Sequence, residues 1–222
     1  MLQKFLKLFE LGYPSFWNKN EKILYKIIII FLLPFSFLFF LVSKFNYKFQ
    51  KTRKVGIPVI CIGNITSGGS GKTPFVVYLA KILEKRKKNV HIITRGYLGK
   101  LNGPVKVNNS HTVEEVGDEA LLLAKKTTTW VSKNKFDGAL MATLDGADII
   151  ILDDGLQNKT LYQDLKIMII DGEFGLGNGL IIPSGPLREN LNSGIKKSDL
   201  MVIFNKDLHD IKEKIKNKIS YF

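Results

Sequence analysis

The sequence predicts an α/β protein in which helices cover both faces of a parallel sheet, with a membrane-anchor helix in front of it. Beyond residue 55, short runs rich in β-branched residues alternate with helical stretches, as in sheets built from strand-helix-strand units. A glycine-rich loop follows the first such run, and an uncharged apolar stretch precedes it. The 222 residues suffice for one domain of this kind with a modest appendage.

The apolar stretch covers residues 27–42, which read IIIIFLLPFSFLFFLV between Lys26 and Lys44. At about 1.5 Å per residue it would reach roughly 24 Å, which is short of a hydrocarbon core of about 30 Å. A single span and a shallow re-entrant or interfacial anchor therefore both stay open, and Pro34 is a candidate kink. We expect residues 1–50 to form the N-terminal anchor with a basic linker and residues 51–222 to form the second domain.

The chain is strongly basic, with 33 Lys and Arg against 20 Asp and Glu and a formal net charge of +13. This charge suits an anionic membrane surface, a phosphorylated substrate or nucleic acid. No nucleic-acid partner is expected, because zinc-finger spacing and an RNA-binding aromatic signature are both missing from the sequence. Positive charges crowd the segment after the apolar stretch and place the following domain on the cytoplasmic side: Lys44, Lys48, Lys51, Arg53 and Lys54. Cys61 is the lone cysteine, which excludes an internal disulfide and fits a reducing compartment.

The expected strands and helices follow from the pattern beyond residue 55. Strands are predicted over residues 59–62, 90–94, 147–153, 165–170 and 200–204. Helices are predicted over residues 72–87, 119–126 and 136–144, and the charged tail 206–218 has the pattern of a solvated amphipathic helix. Functional side chains should gather at the carboxyl ends of the strands, where such sheets open a crevice.

The glycine-rich loop reads SGGSGKT over residues 67–73, directly after the first predicted strand. Its glycines allow consecutive backbone N–H groups to face phosphate oxygens, Lys72 can reach the terminal phosphates, and the Thr73 hydroxyl can ligate Mg²⁺. The strict pattern has glycine at position 66, where this chain has threonine. The sequence therefore predicts a P-loop NTPase-like domain that binds a nucleoside triphosphate through Thr66, Ser67, Gly68, Gly69, Ser70, Gly71, Lys72 and Thr73.

A second motif fits the same chemistry, because residues 149–154 read IIILDD. An apolar strand that ends in a carboxylate can hold Mg²⁺ directly or through water. The predicted metal-binding residues are Thr73, Asp153 and Asp154. Neighbouring strand residues point to opposite faces, so the pattern leaves open which aspartate meets the metal, and both could instead cap the turn at Gly155.

Several shorter motifs accompany these two. Taken singly, each has a structural explanation, such as helix capping by Asp118 or a surface ion pair between Arg188 and Glu189. In order along the chain, the motifs are GNITSGGSGKTP (63–74), TRGY (94–97), GDEA (117–120), DDGLQ (153–157), GNG (177–179) and PSGPLRE (183–189). In this order they resemble the tetraacyldisaccharide 4'-kinase family, the membrane-bound lipid A kinases of Gram-negative bacteria.

The resemblance implies transfer of the ATP γ-phosphate to the 4'-hydroxyl of an acylated glucosamine disaccharide 1-phosphate, which gives lipid IVA. It places the enzyme, with ATP and Mg²⁺, on the cytoplasmic face of the bacterial inner membrane. By the same resemblance, Asp118 is the catalytic base and acts with Lys72 and Asp154. Four further residues should line the nucleotide or sugar-phosphate site: Tyr97, Gln157, Arg188 and Glu189.

The chain departs from the family pattern in two places. Asn158 stands where the family commonly has histidine, and the chain is expected to lack a C-terminal segment that supplies a histidine partner for the catalytic aspartate. Two alternatives therefore stay open, namely a membrane-tethered P-loop ATPase switch and a truncated nucleotide- or lipid-binding module without turnover. A guanine-specific switch is disfavoured because Asn205-Lys206-Asp207 places the acid one residue early for the Asn-Lys-x-Asp motif. The sequence does not indicate an oligomeric state.

Overall fold

The computed structural model describes residues 14–18, 22–68 and 71–219. Its centre is a seven-stranded sheet with the order β3-β4-β2-β5-β1-β6-β7. The strands are β1 Val59–Gly63, β2 Val90–Thr94, β3 Val105–Lys106, β4 Thr129–Val131, β5 Ile149–Asp153, β6 Leu165–Asp171 and β7 Leu200–Phe204. All neighbours pair in parallel except β3, which is antiparallel to β4.

Seven α-helices are described around or in front of this sheet. They are α1 Ile23–Phe49, α2 Lys72–Lys85, α3 Val113–Val116, α4 Asp118–Ala124, α5 Lys135–Leu144, α6 Leu191–Lys197 and α7 Ile211–Ile219, and a 3-10 helix covers Ser15–Trp17. The side chains of α2 and α4 pack on one face of the sheet through Val76, Ala80 and Leu123. The side chains of α5, α6 and α7 belong to the core on the other face. The predicted two-faced α/β arrangement is confirmed.

The strands at the centre of the sheet are largely apolar because both of their faces are covered. In β5, Ile150, Ile151 and Leu152 are fully buried, and Cys61 of β1 lies in the same core with no exposed surface. The register pairs Ile62 with Asp153. This pairing brings the aspartate that ends β5 level with the residues that lead into the glycine-rich loop.

The helix α1 is longer than the predicted apolar stretch and runs without interruption through Pro34. It is long and apolar enough to cross a membrane by length and composition, and most of its surface is exposed. Ser36 is its one buried residue. The Ser36 hydroxyl donates to the Ile181 carbonyl at 2.8 Å and accepts from the Ser184 amide at 3.0 Å. The middle of α1 is thus bonded to the loop that carries the PSGPLRE motif.

Candidate functional site

The phosphate loop connects β1 to α2 at the carboxyl edge of the sheet. Gly71 is the N-cap of α2 and has φ +72°, a conformation that favours glycine. A Cβ atom at Gly71 would also come within 2.6 Å of the Phe204 ring. The N-terminus of α2 lies directly after the glycine-rich loop. Backbone N–H groups and the helix dipole at this end favour the binding of an anion. Gly69 and Ser70, two of the predicted nucleotide contacts, lie outside the described residues.

The PSGPLRE segment lies against the first half of this loop. The Ser67 amide donates to the Pro186 carbonyl at 2.7 Å, and the Arg188 amide donates to the Ile65 carbonyl at 2.8 Å. Thr66, which replaces the usual glycine, is buried, and its hydroxyl accepts a hydrogen bond from the Asn64 side chain at 3.1 Å. The threonine side chain is therefore accommodated by the protein interior.

Lys72 is held on the loop by two oxygen acceptors. Its ammonium group donates to the Asn64 side-chain carbonyl at 3.0 Å and lies 3.6 Å from the Asp154 carboxylate. The Lys72 side chain is only 12% exposed. The Lys72 ammonium is thus held beside the phosphate loop by the protein itself. Its partner Asn64 was not predicted from the sequence.

Asp154 is already engaged by cations. One guanidinium nitrogen of Arg188 donates to both Asp154 oxygens, at 2.9 and 2.7 Å, and Lys72 approaches from the other side. Burial acts to raise the pKa of Asp154, but Lys72 and Arg188 outweigh it and lower the pKa below its ordinary value. Asp154 therefore stays ionised as the counter-ion of these two basic groups.

Asp153 has the opposite surroundings, although it is the neighbouring residue. It is 2% exposed, and its Oδ1 atom has no hydrogen-bond partner among the described residues. Burial raises its pKa to about 7, and the negative charges of Glu119 and Asp154 act in the same direction. A buried carboxylate oxygen without a partner calls for a cation or a donor that the protein itself does not supply.

Glu119 completes this corner of the site, and the motif search had assigned it no role. It accepts a hydrogen bond from the Thr73 hydroxyl, and its charge raises the pKa of Asp153. Among the described residues, no three His, Cys, Asp or Glu side chains already converge as metal ligands. The oxygen donors of Thr73, Glu119 and Asp153 nevertheless fit Mg²⁺, which prefers a few protein oxygens together with water and substrate phosphates.

Lys135 lies beneath these carboxylates and was also missed by sequence reasoning. It is 3% exposed and donates to the Asp153 backbone carbonyl at 3.3 Å. Burial lowers its pKa to about 8, while Asp153 and Asp154 act to raise it. The spacing between residues 135 and 153 along the chain carries no motif. Only the folded position of α5, which packs against β2 and β4, could show this contact.

Asp118, the predicted catalytic base, is the first residue of α4 and is exposed. Its Oδ1 atom accepts from the Glu119 amide at 2.8 Å. The side chain of Glu119, rather than that of Asp118, lines the cleft. The residue that caps this helix is Gly117. The sequence had indicated Asp118 as the cap instead.

A cleft of about 1460 Å³ runs from the phosphate loop to the helix α1. Ordinary small-molecule pockets measure roughly 300–1,000 Å³, so this cleft has room for a nucleotide and a second ligand. Its inner end contains Lys72, Thr73 and both aspartates, and its outer end is formed by side chains of α1 such as Phe39 and Phe40. Anion-binding and apolar surfaces therefore meet in one cleft.

The four residues assigned by resemblance all line this cleft. Tyr97 is 70% exposed, whereas Glu189 is buried. Gln157 donates to the Asn64 backbone carbonyl at 2.9 Å and to Glu189 at 3.1 Å. Arg188 bonds Asp154, as described above. Of the predicted site residues that the structure describes, all except Thr66 and Asp118 line the cleft. The Thr66 side chain is buried instead, and Asp118 is exposed outside the cleft wall.

Comparison with known proteins agrees with this geometry. The family model described as tetraacyldisaccharide-1-P 4'-kinase, LpxK, matches residues 28–221. The tetraacyldisaccharide 4'-kinase of Gluconobacter oxydans is 39% identical over 89% of this chain and 60% of its own length. That of Dinoroseobacter shibae is 50% identical over 66% of this chain and 44% of its own length.

A solved structure is similar as well. The crystal structure of LpxK from Aquifex aeolicus in complex with ATP is 35% identical, with a TM-score of 0.73, and the match covers 82% of this chain and 60% of that one. This chain spans about three fifths of the length of the first curated relatives that it matches. Because the family model matches most of this chain, the chain belongs to the tetraacyldisaccharide-1-P 4'-kinase family.

Proposed function

We propose that this chain transfers the γ-phosphate of ATP to the 4'-hydroxyl of a tetraacylated glucosamine disaccharide 1-phosphate, giving lipid IVA. The observation that carries the proposal is the position of Asp153. Its buried, unpartnered oxygen lies in the same cleft as the phosphate loop. The relatives' names, and the ATP bound by the Aquifex protein, support the nucleotide and the acceptor.

The nucleotide would bind at the inner end of the cleft. The backbone N–H groups before α2 would face the β- and γ-phosphates, and Lys72 would exchange the Asn64 carbonyl for a phosphate oxygen. Arg188 stands beside it at the same edge of the sheet, bonded to Asp154. Two cations at this edge can balance charge that builds up on the phosphoryl group in the transition state.

The oxygens of Thr73, Glu119 and Asp153 would hold Mg²⁺. When bound, the ion neutralises phosphate charge and orients the β- and γ-phosphates. The role of Asp153 is to present an anionic oxygen there, and the role of Lys135 is to offset that buried charge when the metal is not bound. Asp154 would serve as the counter-ion of Lys72 and Arg188, in place of the metal-binding role that the sequence predicted for it.

The proposed general base is Asp118, carried over by resemblance. It lies at the start of α4 directly before the cleft residue Glu119, so a small movement of this helix end would turn its carboxylate towards an acceptor hydroxyl. Tyr97 and Gln157 are the proposed contacts for the sugar. A base positioned beside the attacking oxygen typically contributes about 10²- to 10⁴-fold to the rate.

The acyl chains would lie along the apolar end of the cleft, beside Phe39 and Phe40 of α1. The proposed location is the cytoplasmic face of the bacterial inner membrane, with residues 1–50 as anchor and 51–222 as the catalytic domain. The α1 helix is about 40 Å long at 1.5 Å per residue, and its midpoint Ser36 is bonded to the Ser184 loop. A transbilayer α1 would place that irregular loop at the centre of the hydrocarbon, which lipid-exposed loops avoid. We therefore favour an anchor that lies in one leaflet over a single span.

The test is transfer of γ-labelled phosphate from ATP to tetraacyldisaccharide 1-phosphate in detergent micelles. Labelled lipid is expected from the unmutated chain. Lys72→Ala should weaken ATP binding, whereas Asp118→Ala should spare binding and lower turnover about 10²- to 10⁴-fold.

Other outcomes would distinguish the remaining possibilities. An equal loss of ATP affinity in both variants would contradict the division of roles. ATP binding without any labelled lipid would favour a binding module, and release of labelled phosphate to water without labelled lipid would favour an ATPase switch.

A further inference from the structure

Glu189 is a buried carboxylate whose two oxygens both have protein partners. Its Oε1 atom accepts from Gln157 at 3.1 Å, and its Oε2 atom accepts from Ser193 at 2.6 Å and from the Lys197 ammonium at 2.7 Å. The Glu189 and Lys197 side chains are 10% and 21% exposed. This is the pattern of a residue that fixes its neighbours, because little of the carboxylate is left to receive a ligand.

The Oε1 side of Glu189 leads to the phosphate loop. The same Gln157 nitrogen that donates to Glu189 also donates to the Asn64 backbone carbonyl at 2.9 Å. The side chain of Asn64 then accepts from the Lys72 ammonium at 3.0 Å. Three consecutive hydrogen-bonded steps thus join Glu189 to the lysine of the phosphate loop.

The Oε2 side leads to the anchor helix. Lys197, the last residue of α6, lies with its ammonium 4.1 Å from the centroid of the Tyr47 ring. Lys159 lies 5.7 Å from the same centroid, and its backbone amide donates to the Gln50 side chain at 2.7 Å. The end of α1 is therefore attached to the catalytic domain through a tyrosine and two lysines.

We propose that Glu189 is a positioning residue that links the seating of α1, through Lys197 and Tyr47, to the placement of Lys72. When the end of α1 is seated, Lys197 holds Glu189, Glu189 orients Gln157, and Gln157 fixes the Asn64 segment that carries Lys72. Withdrawal of Tyr47 loosens this network and lowers the affinity for ATP. The consequence for ATP rests on the proposed function, whereas the placement of Lys72 does not.

Tyr47→Leu is the informative variant, because it removes the aromatic face that Lys197 contacts. Tyr47→Phe keeps that face and should behave as the unmutated chain. Tyr162→Leu is the matched control, since the Lys54 ammonium lies 4.7 Å from the Tyr162 ring and neither residue lines the cleft. Cation–π contacts of this kind alter equilibria by about threefold to tenfold, so a loss of that size in ATP affinity is expected for Tyr47→Leu alone.

A second measurement needs no nucleotide. The Lys72 ammonium of the full chain, embedded in phospholipid nanodiscs, is labelled with an amine-reactive ester and quantified by mass spectrometry. Glu189→Gln and Tyr47→Leu should each label Lys72 at least about twice as fast, because the Asn64 acceptor is no longer fixed in place. Lys197→Met removes the ion pair with Glu189 and should also label Lys72 faster. Lys197→Arg keeps that ion pair and should label Lys72 as slowly as the unmutated chain.

Unchanged Lys72 labelling in both Glu189→Gln and Tyr47→Leu would overturn the proposal, as would equal effects of Tyr47→Leu and Tyr162→Leu. Glu189 would instead be a substrate contact if Glu189→Gln raised KM for the lipid and left both ATP affinity and Lys72 labelling unchanged. Failure of the unmutated chain to bind ATP would reject the proposed function, while the labelling comparison would still decide the role of Glu189.

Discussion

At the scale of single residues, the pKa values of two adjacent aspartates shift in opposite directions because their surroundings differ. Asp154 has φ +53° and bonds Arg188 beyond the end of β5. Asp153 is the last residue of β5 and is buried above Lys135. Burial raises the pKa of Asp153 to about 7, whereas Lys72 and Arg188 keep the pKa of Asp154 low against the effect of burial. Separated pKa values in neighbouring carboxyl groups are typical of functional sites.

The raised pKa of Asp153 predicts that Asp153→Asn stabilises the protein in the absence of Mg²⁺. Between pH 4 and pH 7 the folded state keeps a proton that the unfolded state has lost, so the unmutated chain becomes less stable as pH rises through this range. At pH 8 the gain in the free energy of unfolding from Asp153→Asn should be on the order of 4 kcal/mol, which corresponds to a pKa raised from 3.8 to about 7. It should shrink towards zero near pH 4.

Thermal unfolding of both proteins in EDTA at pH 4.5 and pH 8 measures this difference. Asp148→Asn is a control, because Asp148 lies one strand length away at the start of β5 and is exposed. A stabilisation by Asp153→Asn that is equal at both pH values would contradict the assigned cause. The same variant should lose phosphate transfer, since the amide no longer presents an anionic oxygen to the metal.

The residues that sequence reasoning missed depend on how the chain folds. Glu119 and Lys135 reach the cleft because strands and helices that lie far apart in sequence pack together. Asn64 is buried, and only the conformation of the loop brings its side chain to the Lys72 ammonium. Lys72, Thr73 and Asp153 could be predicted because the chemistry fixes their spacing along one loop and at one strand end. The exposed position of Asp118 could not be predicted either, because the motif gives the residue type but not the rotation of α4.

At the scale of elements, α1 is part of the cleft wall in addition to its proposed role as an anchor. Ser36 bonds the loop at Ser184, and the following turns line the cleft down to Gln50. The amphipathic tail was predicted over residues 206–218 and begins later, at Ile211. Asp207 accounts for the delay, because its carboxylate accepts from the backbone amides of Ile211 and Lys212 and caps the helix start.

The contacts of α1 predict that both of its ends lie on the same side of the membrane. Single cysteines at Lys22 and Lys48 should react with a membrane-impermeant maleimide from the same side of sealed vesicles. Lys88→Cys marks the side of the catalytic domain, and the native Cys61 is fully buried and should stay silent. Reaction of Lys22→Cys from the opposite side only would establish a single span and contradict the one-leaflet anchor.

The five long strands were predicted within one or two residues, whereas β3 and β4 were missed. A short strand such as Thr129–Val131 is too brief to show a period, and Val105–Lys106 is strand only because it pairs with its neighbour. The order of the strands also lay beyond the sequence. It places β1 between β5 and β6, which brings the phosphate loop next to the carboxylates that end β5.

At the scale of the whole molecule, two forces should act together in the proposed binding to membranes. The apolar face of α1 is exposed, and the chain carries a net charge of +13. Burial of apolar surface does not depend on salt, whereas attraction between lysines and anionic lipids acts over a Debye length of about 10 Å at 0.1 M salt. The basic segment begins with Lys44 and Lys48 in the last turns of α1 and continues beyond the helix to Lys54. Its charges should therefore act at the lipid surface.

Binding to vesicles should therefore divide into a salt-independent part and a salt-dependent part. Neutral phosphatidylcholine vesicles should bind the chain equally at 50 mM and 500 mM salt. Vesicles with anionic lipid should bind it more tightly at 50 mM salt and lose most of that advantage at 500 mM.

Neutralising Lys48 and Lys51 together to Gln should weaken binding to anionic vesicles by at least about tenfold at low salt, since each lysine near the surface contributes roughly 1 kcal/mol. Co-sedimentation measures each affinity, and Lys81 and Lys85 on α2, neutralised together, are the matched control because they remove the same charge elsewhere on the molecule. Equal losses in the two double variants would mean that net charge alone drives binding and that the linker has no special position at the membrane.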